Sequence, residues 1–321
     1  AAPERTVSGR VTDSAGQPLD GVMLTLSGGQ PERSVTVFSQ TDGSYQSPAF
    51  PVDGPYRLRT RRIGWQEQRF DLDATVRDIK LVRETDAARI AEQLPANHWY
   101  ALVIDRVDNL AHRQRLLQSC VGCHQQGNPG TRVARTPADW KRVLDLMADM
   151  GGNVEPELRV QIPELFNSSY DPDYAIPRLS AAMQDPAFSE VPAPDALNAV
   201  IDEWELGEPD SMQHDLAVHP DGRIYVVDWT RDMLYRLDPD IPGGDRVAFP
   251  IPDSGLPVGG VLGDASPLPP PAPAKVAPHS LQMDGAGNVW LTLSLSGQLA
   301  RFNPASEKWD LYELKTGVYP H

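Results

Sequence analysis

Between residues 7 and 82, apolar and polar residues alternate with a period of two in short runs. Val7-Ser8-Gly9-Arg10-Val11, Gly21 to Leu26, Ser34 to Phe38, Pro55 to Arg59 and Gln68 to Leu72 each read as a strand. In the last two the alternation is clean enough to put one face in a core and the other in water. Turn residues separate these runs, at Asp13 to Gln17, Gly28-Gly29 and Thr41-Asp42-Gly43-Ser44. The pattern predicts a small all-β sandwich over residues 1–83. Residues 84–93 turn helical and charged, which fits a linker.

The period changes to that of a helix over residues 94–206, where an all-α domain is expected. Residues 105–119 can bring Leu110, Leu116 and Leu117 to one face. The best-marked helix follows. Thr136 suits the N-cap, Pro137 the first turn, and Asp139 complements the helix dipole. Trp140, Val143, Leu144 and Met147 share one face, and Gly151-Gly152 marks the end. Residues 167–192 are rich in Pro and Asp and read as a long loop. Residues 195–206 read as a terminal helix, with Leu197, Val200, Ile201 and Trp204 on one face.

Residues 207–321 return to period two and contain a repeat. His214 to Asp228, then Leu234 to Pro239, matches His279 to Thr292, then Leu299 to Pro304. Each unit is strand, Gly turn, strand and a third strand ending in Asp-Pro or Asn-Pro; Trp309 to Leu314 adds a fourth. This is the anatomy of a propeller blade. Tyr319-Pro320-His321 resembles the opening of a further unit. His279 and His321 are 42 residues apart, His214 and His279 65. The excess falls in residues 252–278, where Pro267-Leu268-Pro269-Pro270-Pro271 predicts a polyproline-like loop. Two blades cannot close a ring, so another chain or further C-terminal sequence is expected to complete it.

One motif carries chemistry. Cys120-Val121-Gly122-Cys123-His124 has the C-x-x-C-H spacing for covalent attachment of one haem c, with His124 as proximal iron ligand. It uses both cysteines of the chain. A thioredoxin-like disulfide and half of a zinc site are the competing readings. The first lacks a surrounding βαβ pattern, the second a further Cys/His pair. A thioether is the expected distal ligand, and Met147 is the candidate, with Met150 or Met183 as alternatives. His98 and His112 would give a bis-histidine site, and an open iron would be catalytic.

The formal charge is −15, so nucleic acid is not an expected partner. No stretch approaches the ~20 apolar residues of a membrane span. The opening Ala1-Ala2-Pro3-Glu4 reads as what remains after signal cleavage.

Three resemblances to known families follow. Gly9-Arg10-Val11, Gly16 to Val22, Thr41-Asp42-Gly43-Ser44-Tyr45 and Tyr56-Arg57-Leu58 resemble the carboxypeptidase regulatory-like domain. That implies an immunoglobulin- or prealbumin-like sandwich without catalytic residues, and Arg57, Arg59, Arg61 and Arg62 form a basic run on it. A haem motif at the end of a helix resembles a class I cytochrome c. The Trp140-x-x-Val143-x-x-x-Met147 run resembles small bacterial cytochrome c domains, which is what picks Met147 over Met150. The repeats resemble the virginiamycin B lyase (streptogramin lyase) propeller, whose magnesium and histidine chemistry is not carried over. His214, His279 and His321 occupy equivalent repeat positions, which argues first for an architectural role.

The resulting expectation is a multidomain chain of β-sandwich, all-α cytochrome c domain and partial β-propeller. It would be a periplasmic or secreted bacterial monohaem cytochrome passing single electrons to a redox partner protein. The alternatives are part of a quinohaemoprotein-type dehydrogenase, or a propeller lyase with an appended haem domain.

Overall fold

A computed structural model of the chain describes residues 6–29, 32–50, 55–72, 75–122, 124–149, 151–185, 188, 192–241, 244–262, 273–316 and 319–321. Two compact units are present, residues 1–203 and 204–321.

The first unit opens with seven strands: β1 Ser8–Thr12, β2 Met23–Gly28, β3 Arg33–Phe38, β4 Ser44–Gln46, β5 Tyr56–Arg61, β6 Gln68–Leu72 and β7 Ile79–Lys80. They form the expected sandwich. Leu24, Leu26 and Leu58 alternate inward and join Val11, Phe50 and Leu81 in a closed core. Gly9 is required because a Cβ there would lie 2.0 Å from the Arg77 carbonyl oxygen. The Tyr45 hydroxyl donates to that same oxygen at 2.7 Å. β1 lies between β4 and β7 in one sheet; the other runs β6-β5-β2-β3 and gains a fifth strand described below. On the basic run, Arg57 pairs with Glu32 and Arg59 with Glu67.

Six helices follow: α1 Ala87–Gln93, α2 Ala96–Ile104, α3 Leu110–Ser119, α4 Pro137–Asp149, α5 Pro156–Ser169 and α6 Pro172–Ala182. The expected linker is largely α1. Its Gln93 side chain ties into the sandwich, accepting from the Gly64 N–H at 2.7 Å and donating to the Trp65 carbonyl at 2.9 Å. Trp99, Tyr100, Leu116, Trp140, Leu158, Ile162, Phe166 and Leu179 form the helical core. Of the three leucines predicted to share a face, only Leu116 is buried; Leu110 and Leu117 are exposed.

The expectation of an all-α cytochrome c domain over residues 94–206 is overturned. The chain is mostly β, its helices are short, and the segment has no terminal helix. Residues 195–206 instead form a 3-10 turn at Pro194–Asn198 and strand β8 Ile201–Trp204. β8 adds to the sandwich sheet beside β3. The spacing of Leu197, Val200, Ile201 and Trp204 suits a helix, but β-branched Val200 and Ile201 meet an open strand edge, and its backbone groups decide the conformation. Arg33 to Asp202 at 3.0 Å and Ser34 to Glu203 at 3.2 Å fasten the pair. The predicted loop 167–192 is also corrected in part: it holds α6, which Asp171 caps and Pro172 opens.

The second unit contains two antiparallel four-stranded sheets. They are β9 Gln213–Val218, β10 Ile224–Asp228, β11 Met233–Asp238 and β12 Asp245–Pro250, then β13 Pro278–Met283, β14 Val289–Leu293, β15 Gln298–Asn303 and β16 Lys308–Glu313. Both repeats therefore become blade-like sheets, and β12 is the strand that the repeat did not reveal. Tyr225, Val227, Leu234, Leu291, Ala300 and Phe302 are fully buried in their common core. The polyproline run at residues 267–271 lies outside the described residues.

Candidate functional site

The motif sits at the C-terminal end of α3. Asn109 caps the start of that helix, accepting from the Ala111 N–H at 2.9 Å and the His112 N–H at 3.2 Å. Cys120 is the C-cap residue, its N–H bonded to the Leu116 carbonyl at 3.0 Å. Helix α3 therefore delivers Cys120 against the helical core and turns the following residues outward, leaving His124 exposed. Cys123 lies outside the described residues.

Tyr100 of α2 reaches the same helix end, donating to the Leu116 carbonyl at 3.1 Å. Burial pushes the Cys120 thiol up to about 11, against a smaller opposing effect of the Tyr100 hydroxyl. A thiol so disfavoured as a thiolate is a poor nucleophile for disulfide exchange or soft-metal capture at neutral pH.

Gln126 links both ends of the motif. Its side-chain amide donates to the Cys120 carbonyl at 2.8 Å and contacts His124 Nδ1 at 3.3 Å. The amide nitrogen donates, so in this contact Nδ1 accepts and the neutral ring carries its proton on Nε2; ligation through Nε2 would require that proton to move to Nδ1 and the contact to be given up. Gly122 lets the chain fold tightly here, since a Cβ would lie 2.9 Å from the Gln118 carbonyl. Beyond it, Gly127 (φ +82°) packs on the start of α2, where a Cβ would lie 2.1 Å from the Ala96 carbonyl. Asn97, Tyr100, Val121, Gly122, His124, Gln125 and Gln126 enclose an open pocket of about 410 Å³ against the motif. The roles of Asn97, Tyr100, Gln126 and Gly127 were not legible in the motif, because the folding back of α2 creates them.

These residues fit a C-x-x-C-H haem site. A buried neutral thiol, an exposed imidazole and adjoining open space occur together. Met147 lies on α4 with Trp140, Val143 and Leu144, half-buried, and its carbonyl accepts from Gly152 at 2.7 Å. Among the described residues, the pocket wall contains no methionine. Met150 lies outside the described residues. Met183 packs on the helical core, and the His98 ring meets Phe188 edge-on at 5.5 Å. His112 lies in the first turn of α3.

The second unit brings the repeat histidines together. The His214 and His279 rings are 3.8 Å apart between centroids, and His279 and His321 are again 3.8 Å apart. Among the described residues, no group of three or more His, Cys, Asp or Glu side chains is arranged to hold a metal ion. Among them, too, no helix is long and apolar enough to cross a membrane.

The fold and motif define a chain that joins a β-sandwich, a helical segment bearing C-x-x-C-H and propeller-like blades. Residues 6–84 match the carboxypeptidase regulatory-like domain. Comparison with curated proteins gave no match. Among solved structures, the chain is similar to a catalytically inactive virginiamycin B lyase from Staphylococcus aureus with quinupristin, at 15% identity over 37% of this chain and TM-score 0.28. A streptogramin B lyase structure gives 17% identity over 37% of this chain and TM-score 0.28. A putative 6-phosphogluconolactonase from Bacteroides uniformis gives 19% identity over 37% and TM-score 0.25. In each case the similarity spans 32% of the other chain, about a third of its length.

Proposed function

We propose that the chain carries one haem c at Cys120, Cys123 and His124 and passes single electrons to a redox partner protein outside the cytoplasm. The supporting observation is the pocket of about 410 Å³ against the C-x-x-C-H segment. Each thiol adds its sulfur and its hydrogen across one vinyl group, which needs no oxidant. His124 is the proposed proximal ligand; Met147 is the proposed distal ligand, and Met150 the alternative. When bound, the haem supplies a one-electron carrier whose potential a thioether raises. The chain's own residues present the Cys120 thiol as a neutral group against the helical core. The sandwich and blades serve as binding modules, and further blades, from the same polypeptide or another chain, complete the ring.

The test is expression with a c-type cytochrome maturation system. Haem that stays bound on a denaturing gel, with a pyridine haemochrome spectrum of two thioethers, supports the reading, and Cys120→Ala with Cys123→Ala abolishes both. Two free thiols and no haem refute it. Carbon monoxide binding by the reduced protein removes the distal methionine.

A further inference from the structure

We propose that Arg61, on the outer face of the five-stranded sandwich sheet, is the centre of a carboxylate-binding site, completed by Arg59 of the same strand and floored by Thr25 and Thr36. The site lies in the first unit and is independent of haem.

The basic run divides once its partners are named. Arg57 pairs with Glu32, Arg59 with Glu67 and Arg62 with Asp20. Arg61 differs. Among the described residues, no carboxylate lies within ion-pair distance of it, and its side chain makes one long hydrogen bond, from Nη2 to Thr25 Oγ1 at 3.3 Å. Its Nε is buried without an acceptor, and so is the Nε of Arg59. A guanidinium N–H shut off from water and left without an acceptor is costly. Two such donors on one face suit an oxyanion.

Sheet register explains why they meet. Residues 57, 59 and 61 alternate with the buried Tyr56, Leu58 and Thr60 and so share the outer face. Thr25 of β2 stands opposite Arg59, and Thr36 of β3 opposite Thr25. The two threonine hydroxyls bond to each other at 2.8 Å. Thr36 is 1% exposed, so this floor is closed to water.

Charge selects the ligand. The guanidiniums of Arg59, Arg61 and Arg69 and the carboxylates of Glu67 and Glu203 act on one another here. Glu67 already accepts from Arg59 and Arg69, and Glu203 accepts from the Ser34 hydroxyl at 3.2 Å. One positive charge is left over, which suits a carboxylate and is exceeded by a phosphate dianion. A planar carboxylate also matches the edge of a guanidinium, which a spherical anion does not. Burial, and then the like charge of Arg59, lower the Arg61 pKa, and an anion bound beside the two guanidiniums offsets both effects.

The test is a proton–nitrogen correlation spectrum of the arginine Nε–H groups in the full chain. It is titrated at constant ionic strength with sodium acetate, with a hexaglutamate peptide and with sodium chloride. Loss of a signal in Arg61→Lys and in Arg59→Lys assigns the two reporters. The expected result is a saturable shift of both signals with a carboxylate and none with chloride. Binding of the peptide at least about tenfold tighter than acetate marks an acidic segment of a partner protein as the ligand; a smaller ratio marks a small organic acid. In Arg61→Gln the Arg59 signal no longer saturates, whereas in Arg57→Gln, outside the site, both signals still do. Should Arg61→Gln not fold, Arg59→Gln is read on the Arg61 signal in the same way. A shift that grows linearly, that chloride reproduces, or that survives in the folded Arg61→Gln variant overturns the site.

Discussion

Asp232 offers a sharp test of how the two blades are joined. It adopts φ +53°, and its carboxylate receives three consecutive backbone N–H groups. Lys275 donates to Oδ2 at 2.7 Å; Val276 and Ala277 donate to Oδ1 at 3.2 and 2.8 Å. Val276 and Ala277 are buried, so Asp232→Ala strands two donors that water cannot reach. Each stranded donor costs about 1–3 kcal/mol, and alanine in the left-handed region adds about 1–2. Against this, burial raises the Asp232 pKa, and removing a desolvated carboxylate returns part of the cost. The net expectation is roughly 3–5 kcal/mol lost. Asp232→Asn keeps one acceptor oxygen and tolerates the backbone, but sets its NH2 against the N–H of the partly exposed Lys275, a donor–donor contact that costs about 1–2 kcal/mol. Urea-dependent hydrogen exchange, read on peptides within residues 213–313, assigns the transition to the blades. Equal losses in the two variants would refute the anchor.

Three further variants probe the first unit by urea unfolding. Leu116→Ala removes a side chain with no exposed surface from the helix that carries the motif, and is expected to cost about 2–5 kcal/mol; a loss under 1 means that α3 is not anchored there. Thr136 accepts from the Asp139 N–H at 3.2 Å and donates to its carboxylate at 2.6 Å. Thr136→Ala should therefore cost about 1 kcal/mol, while Thr136→Ser stays near wild type. Gly127→Ala meets both a positive φ and the Ala96 carbonyl, and should cost at least about 2 kcal/mol, whereas Gly16→Ala faces open space and costs less.

Where one face of an element is buried, its pattern was readable before the structure. Leu24, Leu26 and Leu58 alternate because half of each strand meets the core. Thr136 and Gly151 mark the ends of α4 through local backbone chemistry alone. The reading failed where two conformations fit one spacing. Leu197 to Trp204 suits a helix or a strand, and the open edge of β3 selects the strand. Pro177 lies in the stretch 167–192 that read as a loop, yet it sits inside α6, a helix held by the buried Leu179.

The same division runs through the candidate sites. The C-x-x-C-H spacing names its chemistry because two thiols and an imidazole at that separation suit one macrocycle edge. Its surroundings are distant in sequence: Asn97 and Tyr100 reach the pocket only because Gly127 lets the chain pack on α2. The repeat likewise marked His214, His279 and His321 as equivalent. That the three rings meet, tilted at 48° and 47°, follows from how successive units abut, and a side-chain hydrogen bond over 65 residues of sequence separation, His214 Nδ1 to the His279 carbonyl, helps to hold them.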